Sequence, residues 1–304
     1  MASMTRAQWA GVFPAITTPF LPDGQVDHAF LAGHARRMLA SGCRGLVPLG
    51  SLGEAATLSL AEKVAILRTC VQAVGDRIPV VAGVAALSTS EAVALATEAA
   101  AAGCAGLMVL PPYVYRGDWA ETRAHVHAVL TATPLSCILY NNPIAYGTDF
   151  LPEQVRALCD HPNLHAVKES SGDVRRFTAL RALLGDRLAL FVGMDDALLE
   201  GVAMGATGWI AGLVNALPDE SVLLFEHAVA GRDVEARALY EWFLPMLRLD
   251  TVPKFVQLIK LVQAEVGLGS ERVRAPRATL AGAEREMALA VIREGLAARP
   301  APAR

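Results

Sequence analysis

The sequence predicts an α/β fold, a (β/α)8 TIM barrel followed by a C-terminal helical extension. Three observations point there. Eight short apolar runs recur between Val12 and Ala211. Segments with helical spacing separate them at intervals of roughly 20–40 residues, the rhythm of parallel strands alternating with helices. The chain has 304 residues and 53% apolar content, enough for one large α/β barrel or two ordinary domains, with a sizeable core. The expected division is a catalytic barrel over 8–217 and a helical region over 218–304.

Val12–Thr17 is the first apolar run, closed by Pro19 and Pro22-Asp-Gly24. Asp27–Ala40 has helical spacing, and Arg44–Leu49 is the second strand, ending in Gly50-Ser-Leu-Gly-Glu54. Ser59-Leu-Ala-Glu62 has the form of a capping box and opens the next helix. Pro79–Gly83 is the third strand, and Ser88-Thr-Ser-Glu91 opens an alanine-rich helix. Gly106–Leu110 is stopped by Pro111-Pro112, and Leu135–Tyr140 by Asn141-Asn-Pro143. Leu164–Lys168, Leu188–Val192 and Thr207–Ala211 complete the eight. Beyond Pro218 the pattern is helical, over Val222–Ala230, Val234–Leu249, Pro253–Val266 and Ala283–Ala297, and the Pro-rich tail after Arg299 is expected to be loose.

A net charge of −3 gives no polybasic field, so nucleic acid is not expected as a partner. The N-terminus lacks the apolar core of a signal peptide. No uninterrupted apolar run reaches the ~18 residues of a membrane span. Cys43, Cys70, Cys104, Cys137 and Cys159 are far apart, and the odd count suits no simple disulfide set. They are expected as buried thiols of a cytoplasmic protein. The seven histidines have no ligand spacing, and no metal is expected.

Lys168 is the most informative residue, because it ends an apolar strand and is followed at once by Glu-Ser-Ser-Gly172. Withdrawal from water disfavours an ammonium, and a neutral amine attacks carbonyl carbon, the first step of Schiff-base catalysis. A lysine that snorkels to the rim of the sheet is the plainer alternative. In a barrel, however, the C-terminal ends of the strands share one mouth. The Gly50–Gly53 turn, Tyr140, Lys168 and Gly193 all fall at such ends and therefore converge. Backbone N–H groups of Gly50–Gly53, ahead of a helix, suit a carboxylate; alternatively this is an ordinary strand-to-helix turn. Tyr140 beside an amine can carry protons, or it is a core aromatic. Asn141, Asn142 and Pro143 read as turn formers.

Gly50-Ser-Leu-Gly-Glu54, Tyr140-Asn-Asn-Pro143 and Val167-Lys-Glu-Ser-Ser-Gly172, in this order and spacing, resemble the N-acetylneuraminate lyase / dihydrodipicolinate synthase family of class I aldolases. The resemblance runs from about Gly11 to at least Asn215. It implies a barrel with C-terminal helices, usually a homotetramer built as a dimer of dimers. It implies that Lys168 forms a Schiff base with a 2-keto acid, that Tyr140 donates and accepts the proton, and that Ser51 and its neighbours hold the carboxylate. It places Gly50, Leu52, Gly193 and Ile210 in the substrate pocket. No cofactor is required.

The departures bear on substrate. The synthases usually carry two threonines where this chain has Ser51 and Leu52. The family's tyrosine contributed across a subunit interface falls at Val114, and the synthase arginine for the second substrate's carboxylate falls at Ala145. Ala145 cannot bind a carboxylate ionically. Leu52, Val114, Ile144 and Ala145 are expected to line a pocket for a compact ring with one carboxylate.

Gly50-Ser-Leu-Gly-Glu54, Pro112-Tyr-Val-Tyr115, Gly208-Trp-Ile-Ala-Gly212 and Leu249-Asp-Thr-Val-Pro-Lys-Phe-Val-Gln257-Leu-Ile-Lys260 are similar to the branch that deaminates 1-pyrroline-4-hydroxy-2-carboxylate in 4-hydroxyproline catabolism. The leading expectation is therefore a Schiff-base lyase or hydrolase releasing ammonia and 2-oxoglutarate semialdehyde. The alternatives are an aldolase acting on 4-hydroxy-2-oxoglutarate or a related 2-keto-3-deoxy acid, and 4-hydroxy-tetrahydrodipicolinate synthase. A non-catalytic keto-acid-binding barrel is the alternative from another class, against which the retention of both Tyr140 and Lys168 argues.

Overall fold

A computed structural model describes residues 3–300. In chain order the regular elements are β1 (Gly11–Pro14), α1 (His28–Ala40), α2 (Leu60–Val74), β2 (Val81–Val84), α3 (Thr89–Ala101), β3 (Gly106–Val109), α4 (Trp119–Thr131), β4 (Ser136–Asn141), the short α5 (Pro143–Tyr146), α6 (Pro152–Leu158), β5 (Leu164–Glu169), α7 (Arg175–Leu184), β6 (Ala189–Val192), α8 (Leu198–Ala203), β7 (Gly208–Ala211), α9 (Pro218–Val229), α10 (Asp233–Leu247), α11 (Phe255–Glu265) and α12 (Gly282–Ala297). The strands pair in parallel in the order β1-β7-β6-β5-β4-β3-β2.

The run Arg44–Leu49, expected as the second strand, closes this sheet without forming a full ladder. It makes single bridges, Val47 to Ala15 on one side and Leu46 to Val80 on the other. Backbone hydrogen bonds Val47 N to Pro14 O (2.8 Å) and Val81 N to Leu46 O (2.8 Å) carry the seam. The run stays short because Pro48 has no N–H to donate and Leu49 sits at φ 65°, outside the extended region. With this seam the fold is a (β/α)8 barrel with C-terminal helices.

The helix starts follow from local chemistry. Ser59 and Glu62 form the expected capping box at α2, and Ser88 caps α3 by accepting from Glu91 N. The strands are buried along their whole length, apart from the partly buried Gly11 and His165, as parallel strands covered by helices must be.

One end of the barrel is plugged. Trp9, Phe13 and Phe191 pack with ring centroids 5.3–6.0 Å apart, and Trp9 Nε1 donates to Ser136 Oγ at 2.7 Å at the start of β4. The ligand-sized space therefore lies at the other end, where the strands finish.

The C-terminal helices are tied to the barrel. α9 packs on β1 and α10. In α11, Lys260 is 2% exposed and donates to Glu54 Oε1 at 2.5 Å, Thr18 O at 2.8 Å and Arg272 O at 2.7 Å. Gln263 Oε1 accepts from Thr17 Oγ1 at 2.9 Å. Among the described residues no helix is long and apolar enough to cross a membrane. All five cysteines are free and buried, and burial pushes the thiols of Cys43 and Cys104 up to about 12.

Candidate active site

Adjacent strand ends bring the central pair together. β4 and β5 pair with Tyr140 opposite Lys168, and Lys168 is opposite Phe191 on β6. Register partners in a parallel sheet present their side chains to the same face. Because Phe191 belongs to the barrel interior, Tyr140 and Lys168 face inward as well. Both are 5% exposed, and Lys168 Nζ lies 4.2 Å from the centroid of the Tyr140 ring, within cation–π range. The Tyr140 hydroxyl accepts from Asn142 Nδ2 at 3.0 Å. Asn142 also caps α5, accepting from Ala145 N at 2.9 Å. It is thus the expected turn former and also orients the tyrosine.

Gly193 makes room for the lysine. A Cβ at this position would overlap Ser170 Oγ and lie 2.7 Å from Lys168 Cε and 2.9 Å from Lys168 Cγ. Only a residue without a side chain lets the aliphatic stem pass.

A cavity of about 350 Å³ opens over these residues. Gly50, Ser51, Leu52, Tyr140, Lys168, Gly193 and Ile210, all expected at the site, line this one cavity, as do Ile144 and Ala145. Val114 does not: it is 82% exposed and adopts φ 70°, in a surface turn. The expectation that it lines the pocket is corrected accordingly.

The glycine-rich turn also differs in detail. Gly50–Gly53 does not lead directly into an α-helix. A single 3-10 turn, Ala55–Thr57, follows, and α2 begins only at Leu60. The helix N-terminus invoked for an anion site is therefore not at this turn. Among the described residues the backbone N–H groups of Ser51 and Leu52 have no protein acceptor, so they remain available to a carboxylate in the cavity. The Ser51 hydroxyl is hydrogen-bonded to the hydroxyl of Tyr146. Tyr146 packs edge-on to Tyr140 (centroids 5.8 Å) and against Tyr113 (5.4 Å). Burial, with the neighbouring phenols adding to it, raises the Tyr146 phenol well above its ordinary range. It therefore serves as a neutral hydroxyl.

Sequence reasoning passed over Tyr146 and Asp250. The segment Asp250–Pro253, with Phe255, joins α10 to α11 and lines the cavity. Its first three residues, Asp250–Val252, fall in the gap between the expected helices Val234–Leu249 and Pro253–Val266, and that break just before a proline was the available signal. Asp195 lies beneath it and is fully buried, accepting from Trp209 Nε1 (2.9 Å), Gly212 N (3.0 Å) and Leu213 N (2.9 Å). Burial pushes its carboxyl up to about 6, against the pull of these donors. Among the described residues no three His, Cys, Asp or Glu side chains are grouped as a metal site would require.

The model of the dihydrodipicolinate synthetase family matches residues 8–294. The chain belongs to this family. It is similar over 98% of its length to the whole of the 4-hydroxy-tetrahydrodipicolinate synthase of Sorangium cellulosum (strain So ce56), with 36% identity. The protein of the same name from Geotalea daltonii is 32% identical over 93% of this chain and 98% of its own. Among solved structures, the 4-hydroxy-tetrahydrodipicolinate synthase of Methylacidiphilum fumariolicum SolV superposes with a TM-score of 0.89 at 29% identity, covering 95% of this chain and 97% of that one. The chloride-inhibited dihydrodipicolinate synthase of Acinetobacter baumannii, complexed with pyruvate, gives a TM-score of 0.90 at 28% identity, covering 94% and 99%. Family membership makes this chain an enzyme of the lysine Schiff-base, class I aldolase type, with small keto acids as the family's substrates.

Proposed function

We propose that the enzyme opens and deaminates a cyclic 2-imino acid bearing one carboxylate, 1-pyrroline-4-hydroxy-2-carboxylate, through a Schiff base on Lys168. The observation that carries this reading is the charge content of the cavity. Among the described residues that line it, Lys168 is the single cationic side chain, and the chemistry itself uses that amine. Ala145 stands where the synthases place an arginine, so a second carboxylate has no ionic partner. A charge-assisted hydrogen bond of that kind is worth about 1.5–3 kcal/mol, roughly a 10- to 150-fold effect. One carboxylate can be held by the N–H groups of Ser51 and Leu52 and by the Ser51 hydroxyl.

The steps follow from the residues present. Lys168 attacks the imine carbon, and transimination opens the ring to a primary amine. Tyr140, held by Asn142, carries the protons of addition and enamine formation. The enamine expels the 4-hydroxyl as water. Isomerisation gives an imine at the far end, and hydrolysis there and at Lys168 consumes two waters. The balance is substrate plus one water to 2-oxoglutarate semialdehyde plus ammonia.

The second reading is 4-hydroxy-tetrahydrodipicolinate synthase, which the names of the Sorangium and Geotalea relatives favour. It shares the Lys168 imine and differs in the second substrate. Three assays on one preparation separate the readings: ammonia from the cyclic imine, pyruvate from 4-hydroxy-2-oxoglutarate, and condensation of pyruvate with aspartate semialdehyde. Ammonia release is expected to be the fastest. Faster condensation would overturn the deaminase reading and leave the Schiff base intact. The buried free thiols support a cytoplasmic setting, and the family resemblance supports a homotetramer.

A further inference from the structure

We propose that Asp250 is the acid that protonates the 4-hydroxyl as it departs. The inference rests on the deaminase reading and adds a catalytic group to it.

Position comes first. Asp250 lies on the segment between α10 and α11 and lines the same cavity as Lys168 and Tyr140. The residue as a whole is partly exposed, yet its Oδ1 is buried and has no hydrogen-bond partner among the described residues. A buried carboxyl oxygen without a donor is costly unless the group is neutral or meets a ligand.

The backbone is shaped to hold it there. Any Cβ on Gly212 would overlap the Asp250 carboxyl group. Gly212 ends Gly208-Trp-Ile-Ala-Gly212, and Asp250 lies in Leu249-Asp-Thr-Val-Pro-Lys254. These two motifs, widely separated in sequence, meet at this contact.

The two acids of this region have opposite surroundings. Asp195 accepts from two backbone N–H groups and the Trp209 indole, which stabilise its carboxylate. Asp250 Oδ1 accepts from no donor among the described residues. Burial and the nearby Asp195 charge raise the Asp250 carboxyl well above the usual carboxylate range, with Asp196 adding to this and Lys168 opposing it. Arg248 pairs with Asp196, at 3.9 Å. When two carboxyls are driven apart in this way, the one without donors keeps the proton. Asp195 is the fixed charge and Asp250 the acid.

The step balances. The enamine electron pair forms the C3–C4 double bond as the C4–O bond breaks. The oxygen takes the Asp250 proton and leaves as water, and the Lys168 nitrogen becomes the conjugated iminium. The Asp250 carboxylate regains its proton from water.

The test uses full-length enzyme with Asp250→Asn, which keeps the shape and removes the proton. Borohydride trapping with pyruvate, which involves no leaving hydroxyl, is expected to match wild type and so to report an intact Lys168 site. Ammonia release from the 4-hydroxy imine is expected to fall roughly 10²- to 10⁴-fold, the usual contribution of a positioned acid. With the 4-chloro analogue, whose leaving group needs no proton, the loss should stay within about threefold. Full activity of Asp250→Asn on the hydroxy substrate, equal losses on both substrates, or loss of pyruvate trapping would each overturn the assignment. Wild-type enzyme that releases no ammonia at all would overturn the deaminase reading itself, and that result is visible before any variant is made.

Discussion

Gly193→Ala tests whether the lysine is placed as the geometry requires. The new methyl would stand 2.7 Å from Lys168 Cε and 2.9 Å from Cγ, and would overlap Ser170 Oγ. Carbon atoms rest at about 3.5–4.0 Å, so the lysine stem must retreat by about 1 Å. A displacement of that size at a reacting group costs on the order of 10²-fold in rate. Overpacking this well-filled wall also costs about 1–3 kcal/mol of stability. The assay is paired: turnover and the rate of borohydride trapping with pyruvate on one side, urea unfolding on the other. Trapping should slow about as much as turnover, because the defect lies in the nucleophile. A variant that traps and turns over within about threefold of wild type would refute the argument that Gly193 is there for the lysine.

Three further outcomes follow from the structure. Tyr146→Phe removes the hydroxyl bonded to Ser51; turnover should fall about 2- to 13-fold, the equivalent of one neutral hydrogen bond, with Lys168 still trapped by borohydride. Lys260→Met takes from buried Glu54 its close cation and leaves Arg277 at 3.9 Å and the Arg274 backbone N–H; it should cost about 3 kcal/mol in urea unfolding, the low end for a broken buried pair, while Lys260→Met with Glu54→Leu should regain most of it. The Arg274 side chain, chiefly by its hydrogen bond, holds Glu62 down at about 2 from 4.5, so this pair stabilises the fold above pH 4.5 and ceases to do so as pH falls through about 2. Glu62→Gln should therefore cost about 1 kcal/mol at neutral pH, after screening of a partly exposed pair, and the gap to wild type should close between pH 4.5 and 2 in unfolding curves.

Much of this was legible because it is local. The parallel strands are covered on both faces and read as apolar runs, unbroken at Leu188–Val192 and interrupted only by the partly buried His165 at Leu164–Val167. Ser59 and Ser88 carry their helix starts in adjacent residues. Lys168 and Tyr140 were legible as chemically distinctive residues at the ends of apolar strands. Arg44–Leu49 was harder, because its apolar content says nothing of the missing N–H at Pro48 or the left-handed turn at Leu49. Tyr146 and Asp250 were not legible as site residues. Tyr146 acquires its place from a turn capped by Asn142 and a hydroxyl almost a hundred residues earlier, on Ser51. Asp250 acquires its place from a link between helices that swings over the barrel mouth and packs on Gly212. Neither contact leaves a periodicity. Val114 shows the converse: a residue matched by position to an interface tyrosine, yet turned out to solvent in the single chain.

The measurement that bears most directly on the central claim is intact-protein and peptide mass spectrometry after borohydride reduction with pyruvate. The account predicts one adduct per chain, carried by the peptide that contains Lys168, and none in Lys168→Ala despite an unchanged unfolding curve. An adduct on another lysine, or turnover by Lys168→Ala at the wild-type rate, would contradict it.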